Sequence, residues 1–273
     1  MPMHKLTEIA SRRELFVNLT LRELRSKYKR SVLGWTWSLL NPLTSLLIYG
    51  FVFGLLFNVD APVGDPSGLD SFAMFLMCGL LPYTFLSNGL SGGMNSLIGN
   101  GNLVKKVYFP REILVGATIA SWLVSFLIEL AVLAVALAFF GNIVVLWIPV
   151  VLLIVAIQVV FVLGLALMLA TAAVYFRDLQ HLLGIVLQVW FYSAPIVYPI
   201  SYVHDQIGET GWKITLYNLN PLVRFVEAYR SVLYDMTFPP LDHMAYLIAI
   251  SVVSLLAGMA VFGRLEGKVA EEL

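Results

Sequence analysis

The chain has 273 residues, 59% of them hydrophobic and only 12% charged, with a mean hydropathy of +0.85 and 17 cationic side chains against 17 anionic ones. This composition excludes an ordinary soluble domain, where roughly 25% of residues are charged, and selects an integral membrane protein. The zero net charge hides a polarity: every Lys and Arg except Lys213, Arg224 and Arg230 lies before the first apolar run, after the last, or in the connections following the second and fourth. Those connections and both termini are therefore predicted to be cytosolic.

Residues 1–33 read as a cytosolic amphipathic interface helix. Ser11 and Glu14 have capping-box spacing, and Val17, Leu21, Leu24 and Tyr28 recur on one stripe with Arg22, Arg25 and Lys29 on other faces. Such a helix is expected to lie flat on the membrane, as an anchor to anionic lipid or as part of a docking platform. Residues 34–263 hold six uncharged runs of crossing length, at about 34–57, 72–90, 113–140, 144–176, 182–197 and 244–262. About thirty residues precede the first run and no small-residue cleavage site follows it, so a retained span is expected rather than a signal peptide. Asn41-Pro42 predicts a kink within it. Gly141-Asn142 is short enough to force a tight hairpin between the third and fourth.

Residues 198–242 mix breakers with interfacial aromatics, and Leu222, Phe225, Val226, Tyr229 and Leu233 recur at helical spacing. One or two short helices dipping back into the membrane from the outer face are predicted, because backbone at that depth must be paired or line a cavity. Residues 264–273 form a cytosolic tail. The predicted fold class is an all-α polytopic membrane protein with six spans, both termini inside, and re-entrant outer helices between spans five and six.

Chemistry is sparse. The only Gly-Lys, Gly267-Lys268, is followed by Val269, so no Walker A loop is present. His4, His181, His204 and His243 are too scattered for a metal site, and neither a Gly-x-Ser-x-Gly nor a His-Glu-x-x-His pattern occurs. The chain is read as no enzyme, without a cofactor of its own or a nucleic-acid partner. Cys78, the single cysteine, excludes an internal disulfide and reads as a small buried hydrophobe. Glu129 is the one carboxylate deep in the spans, facing a conduit, bonding a neighbouring helix, or lying nearer the end of its span than the run's length suggests. Its apparent lack of charged company argues against an ion-coupled carrier, which usually shows several intramembrane charges. Tyr49, Phe53 and Phe57 in the first span, with Trp190 and Tyr192 in the fifth, are candidates for a conduit lining suited to sugar faces; any one of them also reads as an interfacial aromatic.

Four segments resemble the membrane subunit of ABC-2 type exporters of polysaccharides and polyol phosphates. They are Arg25-Ser26-Lys27-Tyr28-Lys29-Arg30-Ser31-Val32-Leu33-Gly34-Trp35-Thr36-Trp37 leading to Asn41-Pro42, the stretch from Asn95 to Glu112, Tyr175-Phe176-Arg177-Asp178-Leu179, and Asn220-Pro221-Leu222 with Tyr229-Arg230. The resemblance implies a pair of identical copies forming a conduit in the bacterial plasma membrane. Two separate cytosolic ATPase subunits, which bind ATP and Mg2+, would drive it. It implies a coupling helix in the loop 93–111, where Asn102, Leu103, Lys105, Lys106, Val107 and Phe109 would meet the ATPase, with Arg177 and Asp178 at a second contact. It also implies outer gate helices within 198–242. The implied substrate is a lipid-linked glycan or teichoic-type polymer, whose pyrophosphate Arg12, Arg13 or Arg25 would receive at the membrane surface. A drug or lipid exporter of the same type is the alternative, and a secondary carrier a more distant one.

Overall fold

The structure, a computed structural model, describes residues 13–27, 29, 36–57, 61–107, 109–208 and 210–272; the side chains of 38 and 268–272 are left out of the description. Every regular element in this set is helical. In chain order these are α1 (Arg13–Lys27), α2 (Trp37–Tyr49) running on as a π-helix (Gly50–Leu56), α3 (Phe72–Gly99), α4 (Gly101–Lys106) and α5 (Glu112–Phe139). A 3-10 turn (Val144–Trp147) leads into α6 (Ile148–Tyr175). Then come α7 (Leu179–Ser193), α8 (Ile200–Ile207), α9 (Trp212–Asn218), α10 (Pro221–Leu233) and α11 (Leu241–Glu272). Ser11, of the expected capping box, lies outside the described residues.

Among the described residues, five helical stretches are long and apolar enough to cross a bilayer: Leu39–Leu56, Phe72–Gly99, Glu112–Phe139, Val144–Tyr175 and Leu241–Gly267. The expected fifth span differs. Its helix, α7, has 15 residues, about 22 Å at 1.5 Å per residue, short of the roughly 30 Å hydrocarbon core. It stops because Ala194 is extended at φ −108°, ψ 152°, with Pro195 and Pro199 close behind.

Side-chain register shows what completes the path. Trp190 near the end of α7 lies 6.4 Å from Phe161 of α6, and Phe225 near the start of α10 lies 5.6 Å from the same ring. From there α10 climbs antiparallel to α6. The Tyr229 hydroxyl donates to Gln158 Oε1 at 2.8 Å, and at the end of the helix Asn142, in the α5–α6 turn, donates to the Tyr234 carbonyl at 2.8 Å. Thus α7 spans the half of the bundle nearer α4 and α10 the half nearer the α5–α6 turn, with α8 and α9 in the connection. Three short helices occupy the region where one or two were expected. Asn220 makes the buried start of α10 feasible: its Oδ1 accepts from Leu222 N at 3.1 Å and from Trp190 Nε1 at 2.7 Å, and Pro221 needs no donor partner in the first turn.

The bundle is held by close helix approach, since lipid offers no hydrophobic drive between helices. Gly89 and Gly93 of α3 face α6, where an added Cβ would fall 2.7 Å from Val162 Cγ1 and 2.7 Å from Ala166 Cβ. Gly164 of α6 and Gly258 of α11 meet backbone to backbone, and Ser254 Oγ donates to the Phe161 carbonyl at 3.0 Å beside them. The first spanning helix is the exception. α2 continues through Pro42 as α-helix and passes into the π segment, and its Leu47, Leu55 and Phe57 are each about 70% exposed.

A Cβ at Gly164 has nowhere to go, because the backbone of Ser254 and Leu255 occupies its place. Gly164→Val is expected to cost about 3 kcal/mol or more, read as a fall in the thermal midpoint of the detergent-solubilised protein. Gly99→Ala, with nothing within 4 Å of its Cβ, should leave that midpoint unchanged or slightly raised.

Candidate coupling and conduit sites

At the α4 end of the bundle, α1 packs lengthwise on α5. Its buried face is Phe16, Leu19 and Leu24, with the Phe16 ring 3.3 Å from the Cβ position of Gly116. The expected stripe is rotated: Val17 is 52% and Leu21 40% exposed, and Tyr28 lies outside the described residues. Periodicity located an apolar side but not the partner helix that selects which side is covered. The 28 residues of α5 measure about 42 Å, some 12 Å more than the hydrocarbon core, so the stretch against α1 includes an interfacial portion.

The α3–α4 connection is tied to α1 through Arg22, whose Nη2 donates to Asn100 Oδ1 at 2.6 Å and pairs with Glu23 Oε1 at 2.7 Å. Beside it opens a cleft of about 460 Å3 lined by Asn18, Leu21, Arg22, Arg25, Ser26 and Lys29. Three cations thus converge there. Of the residues expected to receive a pyrophosphate, Arg25 lines the cleft; Arg13 is 12 residues away on the same helix, about 18 Å along its axis, and Arg12 lies outside the described residues. Arg22 and Lys29 were missed, although their spacing from Arg25 already put all three near one face.

On α4 and just after it, Asn102, Lys105, Lys106 and Val107 are exposed and Leu103 is half-buried. Phe109 departs from expectation: at 6% exposure it belongs to the core together with Val104, so it is not offered to a partner. A partner would meet the two lysines and Val107 instead. Arg177 and Asp178 are both exposed in the α6–α7 turn. The Gly93–Ala166 contact puts that turn at the same end as α4.

Glu129 does have charged company. Lys27, at the end of α1, donates to the Ser121 carbonyl at 3.0 Å and to Ser125 Oγ at 3.3 Å, with Nζ 3.4 Å from the centre of the Trp122 ring. Glu129 follows Ser125 by one helical turn on α5 and interacts electrostatically with Lys27. Burial lowers the Lys27 pKa to about 7, opposed by the negative charges of Glu129 and Glu23. The pair escaped the sequence reading because the two residues stand 102 positions apart and Lys27 already had a role as a topology anchor.

The aromatic candidates form two groups rather than one lining. Tyr49, Phe53 and Phe57 follow one another at 6.2 Å spacings with their rings tilted, and Phe53 packs 4.9 Å from Phe72 at the start of α3. Trp190 is engaged with Asn220 and Phe161, while Tyr192 is 63% exposed. Their helix α7 contacts α3 at Tyr83, whose hydroxyl donates to the Leu187 carbonyl at 2.9 Å. Phe72 and Tyr83 are about 16 Å apart along α3 but on nearly the same face. So α2 and α7 flank one side of the bundle, and both present exposed apolar residues, among them Leu47, Leu55, Ile185 and Val189.

The chain matches the family described as ABC-2 type transporter over residues 14–234. It is 30% identical to a protein of Myxococcus xanthus named O-antigen export system permease protein RfbA, over 97% of this chain and 98% of that one. A Klebsiella pneumoniae protein of the same name is 28% identical, with 95% of each chain covered. The Escherichia coli polysialic acid transport protein KpsM is 22% identical over 89% of this chain and 90% of its own.

With a folded pKa near 7 against the ordinary 10.5, Lys27 binds fewer protons in the folded protein than in the unfolded one between those values. The attachment of α1 to α5 should therefore strengthen as pH rises from about 7 toward 10, with the cost of the buried charge fully present below 7. Glu129→Gln removes the charge that supports the ammonium, so the Lys27 pKa should drop further, as measured by the pH dependence of amine labelling at Lys27.

Proposed function

Because this chain belongs to the ABC-2 type transporter family, we propose that it is the membrane-spanning subunit of an ATP-driven exporter moving a lipid-linked polysaccharide or teichoic-type polymer across the bacterial inner membrane. Two copies line the conduit and two separate ATPase subunits, carrying ATP and Mg2+, drive it. The observation that carries this reading is full-length similarity to polysaccharide-export permeases, joined to an exposed basic helix at one end of the bundle.

In this mechanism α4 is the coupling element. Lys105 and Lys106 meet acidic groups on the ATPase while Val107, with the edge of Leu103, enters an apolar notch. Arg22 and Asn100 make α1 and α4 move as one body. Arg177 and Asp178 provide a second contact on the same face. ATP-driven closure can shift the spans only if the closed ATPase pair binds α4 more tightly in one state of the bundle than in the other. The cleft of Arg22, Arg25 and Lys29 receives the pyrophosphate of the lipid carrier, since a guanidinium fork matches phosphate oxygens in pairs. The poorly covered side formed by α2 and α7 faces the second copy.

Charge reversal at Lys105 and Lys106 should abolish stimulation of the partner ATPase by this subunit while leaving the thermal midpoint intact; unchanged stimulation would exclude α4 as the coupling element. Arg25→Gln should raise the apparent KM for a pyrophosphate-linked glycan about tenfold with kcat little changed, the loss expected for one hydrogen bond between charged groups. ATP hydrolysis and thermal unfolding of the whole complex measure the first, and transport assays in proteoliposomes the second.

A further inference from the structure

Arg230 was counted among the few cations on the outer face, yet its side chain is almost fully buried, at 4% exposure. It sits at the place where α3, α10 and the break after α7 converge. Its Nη2 donates to the Ile196 carbonyl at 2.7 Å and its Nη1 to the Pro195 carbonyl. The guanidinium carbon lies 3.6 Å from the centre of the Phe75 ring, and Nη1 is 3.6 Å from the Glu227 carboxylate one turn back on α10. Gly79 completes the junction: a Cβ there would be 3.2 Å from Arg230 Nη2, 3.2 Å from Val226 Cγ1 and 3.5 Å from Ile196 Cα.

The parts joined at this point are held unequally. α10 is anchored by Tyr229 to Gln158, which in turn donates to the Pro82 carbonyl at 2.9 Å, and by Asn142 at its far end. α7 packs on the core through Leu183 and Leu187 and is tied by Tyr83 to the Leu187 carbonyl and by Trp190 to Asn220, while Leu182, Ile185, Val186, Val189 and Tyr192 on its other side are exposed within one copy. The Pro195 and Ile196 carbonyls belong to non-helical backbone, where an unmatched acceptor in a dry environment costs several kcal/mol. Arg230 supplies both donors from the fixed helix to the buried, non-helical break. Its own Nε finds no hydrogen-bond partner among the described residues, so the junction is fully satisfied on the carbonyl side only.

We propose that Arg230 is a positioning residue for transport: its two-pronged grip on the Pro195 and Ile196 carbonyls holds the break after α7 shut against α3 and α10, and polymer passage requires that grip to open. This rests on the exporter reading above. Two neighbouring carbonyls suit a fork of donors, and Glu227, 3.6 Å from Nη1, rides on α10 with Arg230, so parting from the carbonyls leaves that pair of charges together. Arg230→Lys keeps the charge above Phe75 but has no planar fork. It loses one bond to a charged group, which moves the closed-to-open ratio by about tenfold.

The test places a single thiol at Ala194, which is 0% exposed, using Ala194→Cys in a Cys78→Ala background, in the complete complex in proteoliposomes. At rest the thiol should be unreactive toward a membrane-impermeant maleimide. During ATP-driven export the labelling rate should rise at least about tenfold, and Arg230→Lys should raise the resting rate by a similar factor in a complex that still folds. Labelling that is the same at rest and during export, or resting labelling unaltered by Arg230→Lys in a folded complex, would overturn the proposal. Should Arg230→Lys fail to fold, the turnover dependence in the otherwise unmodified background still decides. Absence of any glycan export by the wild-type complex would count against the exporter reading instead, which keeps the two failures apart.

Discussion

Inside hydrocarbon a backbone carbonyl or amide has no water to bond, so every departure from helix must be answered by a specific side chain. Among the described residues one such departure lies between residues 194 and 220, broken only by the short helices α8 and α9, and particular polar side chains answer it. Asn220 caps the buried start of α10 and takes the Trp190 indole, Arg230 covers the carbonyls of Pro195 and Ile196, and Asn142 accounts for those at the other end of α10. The Tyr229-Arg230 pair thereby acquires a physical meaning. One side chain fixes α10 to α6 and the other fixes the break to α10.

Around that break the remaining helices form a tight frame. α3, α6 and α11 approach closely enough that glycines are required at their crossings, and dispersion across those contacts replaces the hydrophobic drive that lipid cannot supply. By contrast α2 and α7 carry apolar side chains with little cover from the rest of the chain. A closely packed frame thus stands beside two helices with few packed contacts inside one copy, and motion is drawn from such parts.

The cationic residues at the α4 end divide into three roles that charge counting merges. Arg22 is spent on an internal tie to Asn100, Lys27 is buried under Trp122 toward Glu129, and Arg25, Lys29, Lys105 and Lys106 remain turned outward. All of them satisfy the positive-inside pattern equally well. Arg22 belongs both to the internal tie and to the cleft that Arg25 and Lys29 line.

What the sequence alone determined was the material: a helical membrane protein, the places of its long apolar runs, the position of a basic connection between the second and third, and an amphipathic helix at Pro221 to Tyr234. These follow from composition and from periods of 3.6 residues, which act over one or two turns and need no knowledge of neighbours. Tertiary structure decided everything that depends on which face meets which partner. It turned the α1 stripe from Val17 and Leu21 to Phe16 and Leu19, withdrew Phe109 into the core, split the fifth crossing between α7 and α10, and brought Lys27 within the field of Glu129. Contacts between residues a hundred positions apart leave no local period behind, so the chain could specify them only by folding.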